Sequence, residues 1–439
     1  MQGIFVPIML YLYPAKAGFF MCSYNQSICM NKLFIIVLAF ACVSCRNNHP
    51  ETAKVPANPA ADSLTGKLHT LSAQGYFAGF SVAVVNKDSV LYENGVGTSN
   101  LSSGEKYTAQ TTQPVASVSK TLIGLALLKA QEMGKLKLSD PINKYLPFKV
   151  RPALFPDKEI TIQQLATHTS SIHDNYQYMD RSYILDDASG VAPTGYLQKF
   201  NPPSAGIGME EFLRGLFSED GKYYAEDNFT GMMPGQYYEY SNLGAAIAAL
   251  VVEKATGMPY DAFVAKHILD PLGMKDSGFY GRGKEFSNRS YLYTGKKEPL
   301  PFYNCITYPD GGLVTSAADM AKYLQELIRG YQGRGKLLNK ESYKQYYTTY
   351  LGPRNFLDGQ ETQNPFSDEY NSGLFIGFSP KGYIGHTGGD PGVSSLMFFD
   401  PETGTGRFLM VNTDIDDKQG NDAFYGIWDA LELMVKTSK

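Results

Sequence analysis

The chain has 439 residues, of which 43% are hydrophobic and 13% aromatic, a composition that excludes a disordered protein and implies a large packed core. Its 39 Lys and Arg residues against 43 Asp and Glu residues give a net charge of −4, so no basic excess is available to neutralise phosphates and nucleic acid is not expected as a partner. Five cysteines in a chain of this length exclude a disulfide scaffold.

The N-terminal segment predicts export. The apolar run Leu33–Val43 follows Lys32; it is shorter than the roughly 20 residues of a membrane span but has the length of the hydrophobic part of a signal peptide. The segment from Met30 onward resembles a bacterial lipoprotein signal, with Cys45 as the lipidated residue and Cys42 as a departure from the pattern. The alternatives are an ordinary secretory signal and an uncleaved anchor.

We therefore divide the chain into an export signal at 1–45, a linker at 46–61 and a folded domain at 62–439. The linker is polar, contains three prolines and shows no apolar periodicity. The signal predicts an exported protein of the periplasm or cell envelope, held at the membrane by a lipid on Cys45 if the signal is processed.

The predicted elements change in character along the domain. A hairpin is expected at 80–85 and 89–92, helices at 121–133, 209–217, 243–256 and 317–329, strands at 383–386, 393–399 and 407–411, and a last helix at 423–435. Strands thus lie at both ends and helices between them. The simplest fold is an α/β domain of the α+β type, in which an antiparallel sheet built from both termini is flanked by helices and carries an inserted, mainly helical subdomain.

The tetrad S-x-x-K occurs twice, at Ser103–Lys106 in a polar stretch that indicates a turn, and at Ser117–Lys120 before the apolar helix. One helical turn places Ser117 and Lys120 on the same face. A serine is a weak nucleophile until a nearby base takes its proton, and a desolvated lysine can do so. A helix N-terminus also offers N–H groups to an oxyanion. The alternative is that Ser117 is simply a helix N-cap.

The triplet Y-x-N also occurs twice. Tyr92–Asn94 lies at the end of the predicted hairpin and indicates a strand end. Tyr240–Asn242 immediately precedes the apolar helix at 243–256, where a tyrosine can share a proton with Lys120. The alternative for this second triplet is that Asn242 only caps the helix.

The triplet His386-Thr387-Gly388 ends a predicted strand and runs into Gly389 and Asp390. The alternative is a glycine-rich turn. The chain contains no G-x-S-x-G, H-E-x-x-H, P-loop or G-x-G-x-x-G pattern, and no two of its six histidines lie at metal-ligand spacing beside a third ligand. No metal and no cofactor is therefore expected.

The order S-x-x-K, Y-x-N, H-T-G resembles the serine β-lactamase and penicillin-binding-protein family, most of all its branch of class C β-lactamases, DD-peptidases and esterases. Similar blocks lie at 160–173, 234–257, 269–279, 309–324 and 386–401. The resemblance covers residues 65–437 and implies that Ser117 is the nucleophile that becomes acylated. It implies that Lys120 and Tyr240 share the general-base and general-acid roles.

The resemblance also implies the substrate contacts. Asn242 would hold the acyl side chain of the substrate, and His386, Thr387, Gly388 and Gly389 would line the strand edge beside the scissile bond. The backbone N–H groups of Ser117 and Gly389 would form the oxyanion hole.

His386 departs from the family pattern, because classical β-lactamases usually carry Lys there. An unperturbed histidine has a pKa of about 6.5 and is mostly neutral above pH 7, so a fixed positive charge for a substrate carboxylate is missing. Acylation is expected, but efficient β-lactam hydrolysis is not.

The leading hypothesis is an exported serine hydrolase acting through a Ser117 acyl-enzyme on peptide, amide or ester substrates, with D-amino-acid peptides of the cell wall among the candidates. The alternatives are a class C-like β-lactamase and a penicillin-binding sensor that acylates without turnover. The partner is a small molecule or a peptide, and the protein is expected to be monomeric.

Other residues of interest have structural interpretations. The stretch 170–235 contains Tyr176, Tyr178, Tyr183, Tyr223 and Tyr224; it either roofs the site or packs outside it, and we favour packing. His168 is expected in a structural turn and Cys305 as a buried thiol. Asp390 either only follows the strand or orients His386.

Overall fold

The computed structural model describes residues 58–187, 190–356 and 373–437. The predicted signal at 1–45, with Cys45, and linker residues 46–57 lie outside the described residues, so this division stays a prediction. The first described helix begins at Pro59, three residues before the predicted start of the domain at 62. Asn58 caps it, because its side-chain oxygen accepts the N–H groups of Ala60 and Ala61 at 3.2 and 3.3 Å.

The α-helices are α1 Pro59–Ser72, α2 Lys120–Glu132, α3 Ile162–Ala166, α4 Tyr176–Arg181, α5 Met209–Phe217, α6 Asn242–Thr256, α7 Tyr260–Val264, α8 Asp270–Leu272, α9 Ala317–Tyr331, α10 Lys340–Tyr346, α11 Lys418–Ala430 and α12 Glu432–Thr437. The strands are β1 Gly79–Asn86, β2 Val90–Asn100, β3 Glu105–Lys106, β4 Gln113–Pro114, β5 Tyr183–Leu185, β6 Gly278–Phe279, β7 Tyr303–Cys305, β8 Leu313–Thr315, β9 Gly377–Phe378, β10 Ile384–Asp390, β11 Val393–Asp400 and β12 Thr405–Val411. A short 3₁₀ helix at Ala116–Ser119, here termed the Ser117 turn, leads into α2. In the described part of the chain, no helix combines the length and the hydropathy that a membrane crossing requires.

Within the described residues, seven strands form one antiparallel sheet in the order β3-β2-β1-β12-β11-β10-β9. The two ends of the domain meet at its centre, where Phe80 of β1 pairs with Val411 of β12. The predicted antiparallel sheet built from both termini is thereby confirmed. A three-stranded sheet β4-β8-β6 and a two-stranded sheet β5-β7 lie outside it.

The large sheet is buried on both faces. Successive side chains of a strand point to opposite sides, so Val82 and Val84 of β1 pack with α1, α11 and α12, whereas Ala83 and Val85 face the main core with α2, α6 and α9. This explains why β1 is apolar at nearly every position instead of alternating. Each fully buried valine contributes about 1.5–3 kcal/mol relative to an exposed one.

The helices α2 and α6 pack against each other inside the main core. Both are buried almost all round, as expected for helices that are apolar on every face. Since α2 begins at Lys120 and α6 at Asn242, the S-x-x-K and Y-x-N motifs meet where the two helices begin.

Three predicted boundaries are wrong. The second strand of the hairpin, expected at 89–92, runs from Val90 to Asn100. The last helix, expected at 423–435, begins at Lys418 and is divided at Leu431 into α11 and α12. Its earlier start follows from Asp417, whose carboxylate accepts the N–H of Gly420 at 2.7 Å. The strand expected at 383–386 continues to Asp390.

Candidate active site

The Ser117 turn is held in a strained backbone conformation. Ala116 has φ of +48°, in the left-handed region that residues with a side chain rarely adopt. Two bonds tie the turn to β8: Val115 donates its N–H to the carbonyl of Leu313 at 3.0 Å, and the N–H of Leu313 donates to Ser119 Oγ at 3.1 Å. These bonds fix the position of Ser117, which is not the helix N-cap that the alternative required, since Ser119 occupies that position.

Lys120 is completely buried next to Ser117. Its Nζ donates to Ser117 Oγ at 3.0 Å, to Asn242 Oδ1 at 2.6 Å and to the backbone carbonyl of Asp310 at 2.8 Å. A buried ammonium is unfavourable unless hydrogen bonds compensate for its lost hydration, and these acceptors do so. The arrangement lets Lys120 exchange a proton with Ser117.

Tyr240 lies beside Lys120, whose Nζ is 5.0 Å from the centre of its ring. The ring of His168 stacks on Tyr240 with 4.5 Å between ring centres, and the ring of His386 lies on another side at 6.3 Å. His168 does lie in a left-handed turn, with φ of +54°. Its Nδ1 also accepts the N–H of Ser241 at 3.1 Å, so this turn supports Tyr240.

Asp174 is a residue that sequence reasoning missed. Its two carboxylate oxygens accept the N–H of Asn242 at 2.7 Å and the N–H of Leu243 at 3.0 Å, and Ser241 Oγ donates to it at 2.9 Å. A carboxylate at a helix N-terminus satisfies free N–H groups and the positive end of the helix dipole. No local pattern could have revealed it, because its partners lie 67 to 69 residues away.

The suggestion that Asn242 only caps α6 is wrong. Ser241 is the cap, and its Oγ accepts the N–H of Gly244 at 2.9 Å. Asn242 is the first residue of the helix, and its side chain contacts Lys120 instead.

The H-T-G segment lies inside β10 and is not a turn. His386 is completely buried and its Nδ1 lies 2.6 Å from the carbonyl oxygen of Thr387. Gly388 and Gly389 pair with β11, so the strand continues past the triplet to Asp390. The glycine run suggests a strand end, but packing explains why glycine is present here.

This packing is the close approach of β10 to the Ser117 turn. A Cβ on Gly388 would lie 2.3 Å from the carbonyl oxygen of Val115 and 2.4 Å from Ser395 Oγ, distances that real side chains do not tolerate. Only glycine therefore lets the strand lie against the turn. Gly389 is exposed, and a Cβ there would meet no heavy atom within 4 Å.

Three carboxyl groups lie close enough to the buried Lys120 to interact with its charge. Burial raises the pKa of Asp310 to about 7 against the opposing field of Lys120. Burial likewise raises the pKa of Asp390 to about 6, opposed by the Tyr183 hydrogen bond and by Lys120. Burial also raises the pKa of Asp174, against its backbone hydrogen bonds. Acidic groups thus outnumber the cation at this site.

Two tyrosines of the 170–235 stretch contact these carboxyl groups. The OH of Tyr178 lies 3.5 Å from Asp310 Oδ2, and the OH of Tyr183 donates to the carboxylate of Asp390. Packing outside the site is therefore wrong for these two, although Tyr176 is 73% exposed. Asp390 contacts Tyr183 and does not orient His386.

Cys305, on β7, is half-buried instead of buried. Burial nevertheless raises the pKa of its thiol well above the usual value, which keeps the thiolate rare and the group a poor nucleophile. Among the described residues, no cluster of three or more His, Cys, Asp or Glu side chains is placed to hold a metal ion.

The structure thus brings the second S-x-x-K, the second Y-x-N and the H-T-G strand to one place. The first copies lie elsewhere, as predicted, but Tyr92–Asn94 lies inside β2 and does not mark a strand end. Ser103 belongs to a turn before β3, and Tyr92 lies in β2, where its OH contacts Thr65 Oγ1 at 2.8 Å.

Comparison with known proteins identifies the family. The sequence model of the Beta-lactamase family matches residues 64–432. Penicillin-binding protein PbpX of Bacillus subtilis (strain 168) is 26% identical over 311 residues, which cover 70% of this chain and 63% of PbpX. Esterase EstB of Burkholderia gladioli is 29% identical over 255 residues, covering 57% of this chain and 60% of the esterase.

The fold has solved counterparts as well. The crystal structure of D-amino acid amidase from Ochrobactrum anthropi SV3 covers 85% of this chain and 99% of its own, with a TM-score of 0.61 and 20% identity. The chain spans about three fifths of the length of the curated relatives named above. Because the family match extends over well more than half of its residues, the chain belongs to the beta-lactamase family.

Proposed function

We propose that this protein is a serine hydrolase that cleaves amide or ester substrates through an acyl-enzyme on Ser117. The observation that carries the proposal is the 3.0 Å contact between Lys120 Nζ and Ser117 Oγ inside a buried site. A nucleophile and a base within hydrogen-bond reach, with the base held by further partners, is the arrangement that activates a serine.

The proposed reaction uses this geometry as follows. Lys120, with Tyr240 beside it, accepts the proton of Ser117 as Oγ attacks the carbonyl carbon. The N–H groups of Ser117 and Gly389 stabilise the oxyanion. The proton is returned to the leaving nitrogen or oxygen when the scissile bond breaks. A water molecule then attacks the acyl-enzyme by the same proton transfers in reverse and frees Ser117.

Substrates without a carboxylate beside the scissile bond fit the site best. His386 takes the place of a lysine, so the strand edge offers no permanent cation, and three carboxyl groups lie close to Lys120. Relatives named as an esterase and as a D-amino acid amidase support amide or ester substrates. Asn242, Thr387 and Gly388 are proposed to contact the acyl part. Esters and D-amino acid amides, which have no carboxylate beside the scissile bond, are therefore the leading candidates, ahead of the D-amino-acid peptides of the cell wall, which carry one.

The decisive assay compares p-nitrophenyl acetate, nitrocefin and a fluorescent penicillin on the full chain. We expect ester turnover without nitrocefin turnover, and a loss of about a thousandfold or more in Ser117→Ala. Ser103→Ala, in the other S-x-x-K tetrad, is the matched control and should behave as wild type.

Each alternative has its own signature in this assay. Fast nitrocefin turnover would indicate a β-lactamase, and a stable penicillin label without any turnover would indicate a sensor. Equal activity of wild type and Ser117→Ala would overturn the nucleophile assignment.

Export and lipidation are a separate proposal that rests on residues 30–45. In a bacterial host, the mature protein should fractionate with membranes and carry a lipid on Cys45. Cys45→Ser should release it from the membrane fraction, and an unprocessed Met1 terminus on the wild-type protein would refute the proposal.

A further inference from the structure

We propose that the chain carries a second binding site, for a small organic carboxylate, in a cavity between the β5-β7 pair and β8. The cavity has a volume of about 210 Å³, room for about seven water molecules at roughly 30 Å³ each. Its walls include Tyr280, Arg282, Arg289, Tyr303, Asn304 and Tyr308. Ser117, Lys120, Tyr240 and His386 are not among the residues that line it.

Arg289 supplies the first reason to expect an anion. Its side chain is only 8% exposed, and one terminal nitrogen pairs with Asp186 at 3.1 Å. The guanidinium lies over the rings of Tyr280 and Phe302, at 4.1 and 4.3 Å. Its Nε, however, is buried with no hydrogen-bond acceptor among the described residues. A buried donor without an acceptor is unfavourable, so the N–H at Nε of Arg289 lacks one hydrogen-bond acceptor.

Arg282 supplies the second reason. It is exposed, its guanidinium lies 3.7 Å from the centre of the Tyr308 ring, and it forms no ion pair with any carboxylate in the described ranges. Among the described residues that line the cavity there is no Asp or Glu. Two arginines therefore line one cavity, and the only carboxylate that pairs with either of them in the described residues is Asp186, which pairs with Arg289 and is not among the lining residues.

The walls favour a carboxylate over an inorganic anion. A guanidinium matches the planar fork of a carboxylate with two parallel hydrogen bonds. The rings of Tyr280, Tyr303 and Tyr308 provide flat apolar walls that can cover a hydrocarbon or aromatic tail. The volume exceeds what a single phosphate ion would fill.

The cavity and the Ser117 turn use different residues of the segment around β8. Gly312 and Val314 line it, whereas Leu313 between them holds the turn through its backbone. The inference uses neither the nucleophile nor its base, so it does not depend on the proposed hydrolase activity.

The test measures binding to the full chain carrying Ser117→Ala, which removes any covalent reaction. Phenylacetate is the probe and the uncharged phenylacetamide its isostere, and both are titrated by calorimetry. Inorganic phosphate is titrated separately. We expect phenylacetate to bind with one-to-one stoichiometry and phenylacetamide to bind about tenfold more weakly or less well still.

Three variants locate the binding. Arg282→Gln removes an exposed charge and leaves the core untouched, and Arg289→Lys keeps the pair with Asp186 but loses the planar fork. Each should weaken phenylacetate binding by about tenfold. Lys266→Gln removes an exposed charge that does not line the cavity and should leave binding unchanged. A thermal melt of each variant confirms folding, and Arg282→Gln decides the question if Arg289→Lys does not fold.

The proposal fails if phenylacetate does not bind, if phosphate binds and phenylacetate does not, or if the amide binds as tightly as the acid. It also fails if Arg282→Gln binds phenylacetate like the parent or if Lys266→Gln loses as much affinity as Arg282→Gln.

Discussion

Asn242 Oδ1 lies 2.6 Å from Lys120 Nζ, closer than the 3.0 Å from the same Nζ to Ser117 Oγ. The asparagine expected to contact the substrate thus also holds the base. If the proposed roles hold, a substrate that takes a hydrogen bond from the Asn242 amide meets a side chain already oriented by Lys120, and one side chain would then serve both substrate binding and activation of Ser117.

Asn242→Asp should shift the pH dependence of kcat/KM. A carboxylate at this position favours the ammonium form of Lys120 and raises the pKa of the lysine, because an opposite charge stabilises the charged form. The base form then needs a higher pH, and we expect the acid limb of the profile to move up by about one pH unit. Asn94→Asp, in the other Y-x-N triplet, is the control. An unmoved acid limb in Asn242→Asp would show that Lys120 is not the titrating base.

Asp174→Asn should act in the opposite direction. The substitution keeps the size of the side chain but removes the negative charge near Lys120, so the acid limb should move to lower pH. The asparagine has one side-chain oxygen where the aspartate has two, so one of the hydrogen bonds from the N–H groups at the start of α6 is lost. This loss should lower the unfolding free energy by about 1 kcal/mol and kcat by about tenfold. The exposed Asp157→Asn is the control. A lower melting temperature with an unchanged pH profile would reduce Asp174 to a purely structural residue.

Gly388→Ala and Gly389→Ala should differ sharply in stability and in kcat/KM. A Cβ on Gly388 collides with the Val115 carbonyl and Ser395 Oγ, so β10 must move away from the Ser117 turn. Overpacking of this kind typically destabilises by about 1–3 kcal/mol, and we expect kcat/KM to fall by about a hundredfold or more since the oxyanion donors separate. Gly389→Ala adds a Cβ in open space and keeps its N–H. Equal activities of the two variants would contradict the proposed strand-edge geometry.

Asp390→Asn should change the dependence of stability on pH. Burial raises the pKa of Asp390 to about 6 from the ordinary 3.8, so between these pH values the folded state binds more protons than the unfolded state. Stability of the wild type therefore falls as pH rises through this window. Asparagine removes this contribution, and unfolding by denaturant from pH 4 to 8 should show the variant gaining relative to wild type as pH rises. A constant difference would mean that Asp390 titrates normally in the folded protein.

The candidate site could be predicted from sequence where its residues form short local patterns. Ser117 and Lys120 are one helical turn apart, and Tyr240 and Asn242 stand at the start of an apolar helix, so the spacing together with the apolar helix that follows distinguishes each pair from the other copy of its motif. The carbonyl of Asp310 could not be predicted because a backbone acceptor leaves no side-chain signal. Asp174 could not be predicted because its contacts arise from packing of distant segments.

Element boundaries failed for a related reason. Two glycines in the H-T-G-G run suggested a turn, since glycine weakens a strand, but a close approach by the Ser117 turn requires Gly388 within β10. The apolar pattern of the last helix runs on through Leu431 and predicts one continuous helix, but the structure divides it there. In β10 a tertiary contact outweighs the local preference of the sequence, and in the last helix a local break does so.

The pairing of the two ends of the domain determines when activity can first arise. The N–H of Ala78 donates to Thr413 Oγ1 across 335 residues of sequence, and contacts of such high sequence separation form late because a very long loop must first be closed. During synthesis, β1 therefore has no β12 to pair with until almost the whole chain has been made. The strand β10 that flanks the Ser117 turn belongs to the same late segment. A chain that stops short of residue 411 should carry an intact Ser117 and Lys120 and yet remain inert, so the newly made protein stays inactive until its last strands arrive.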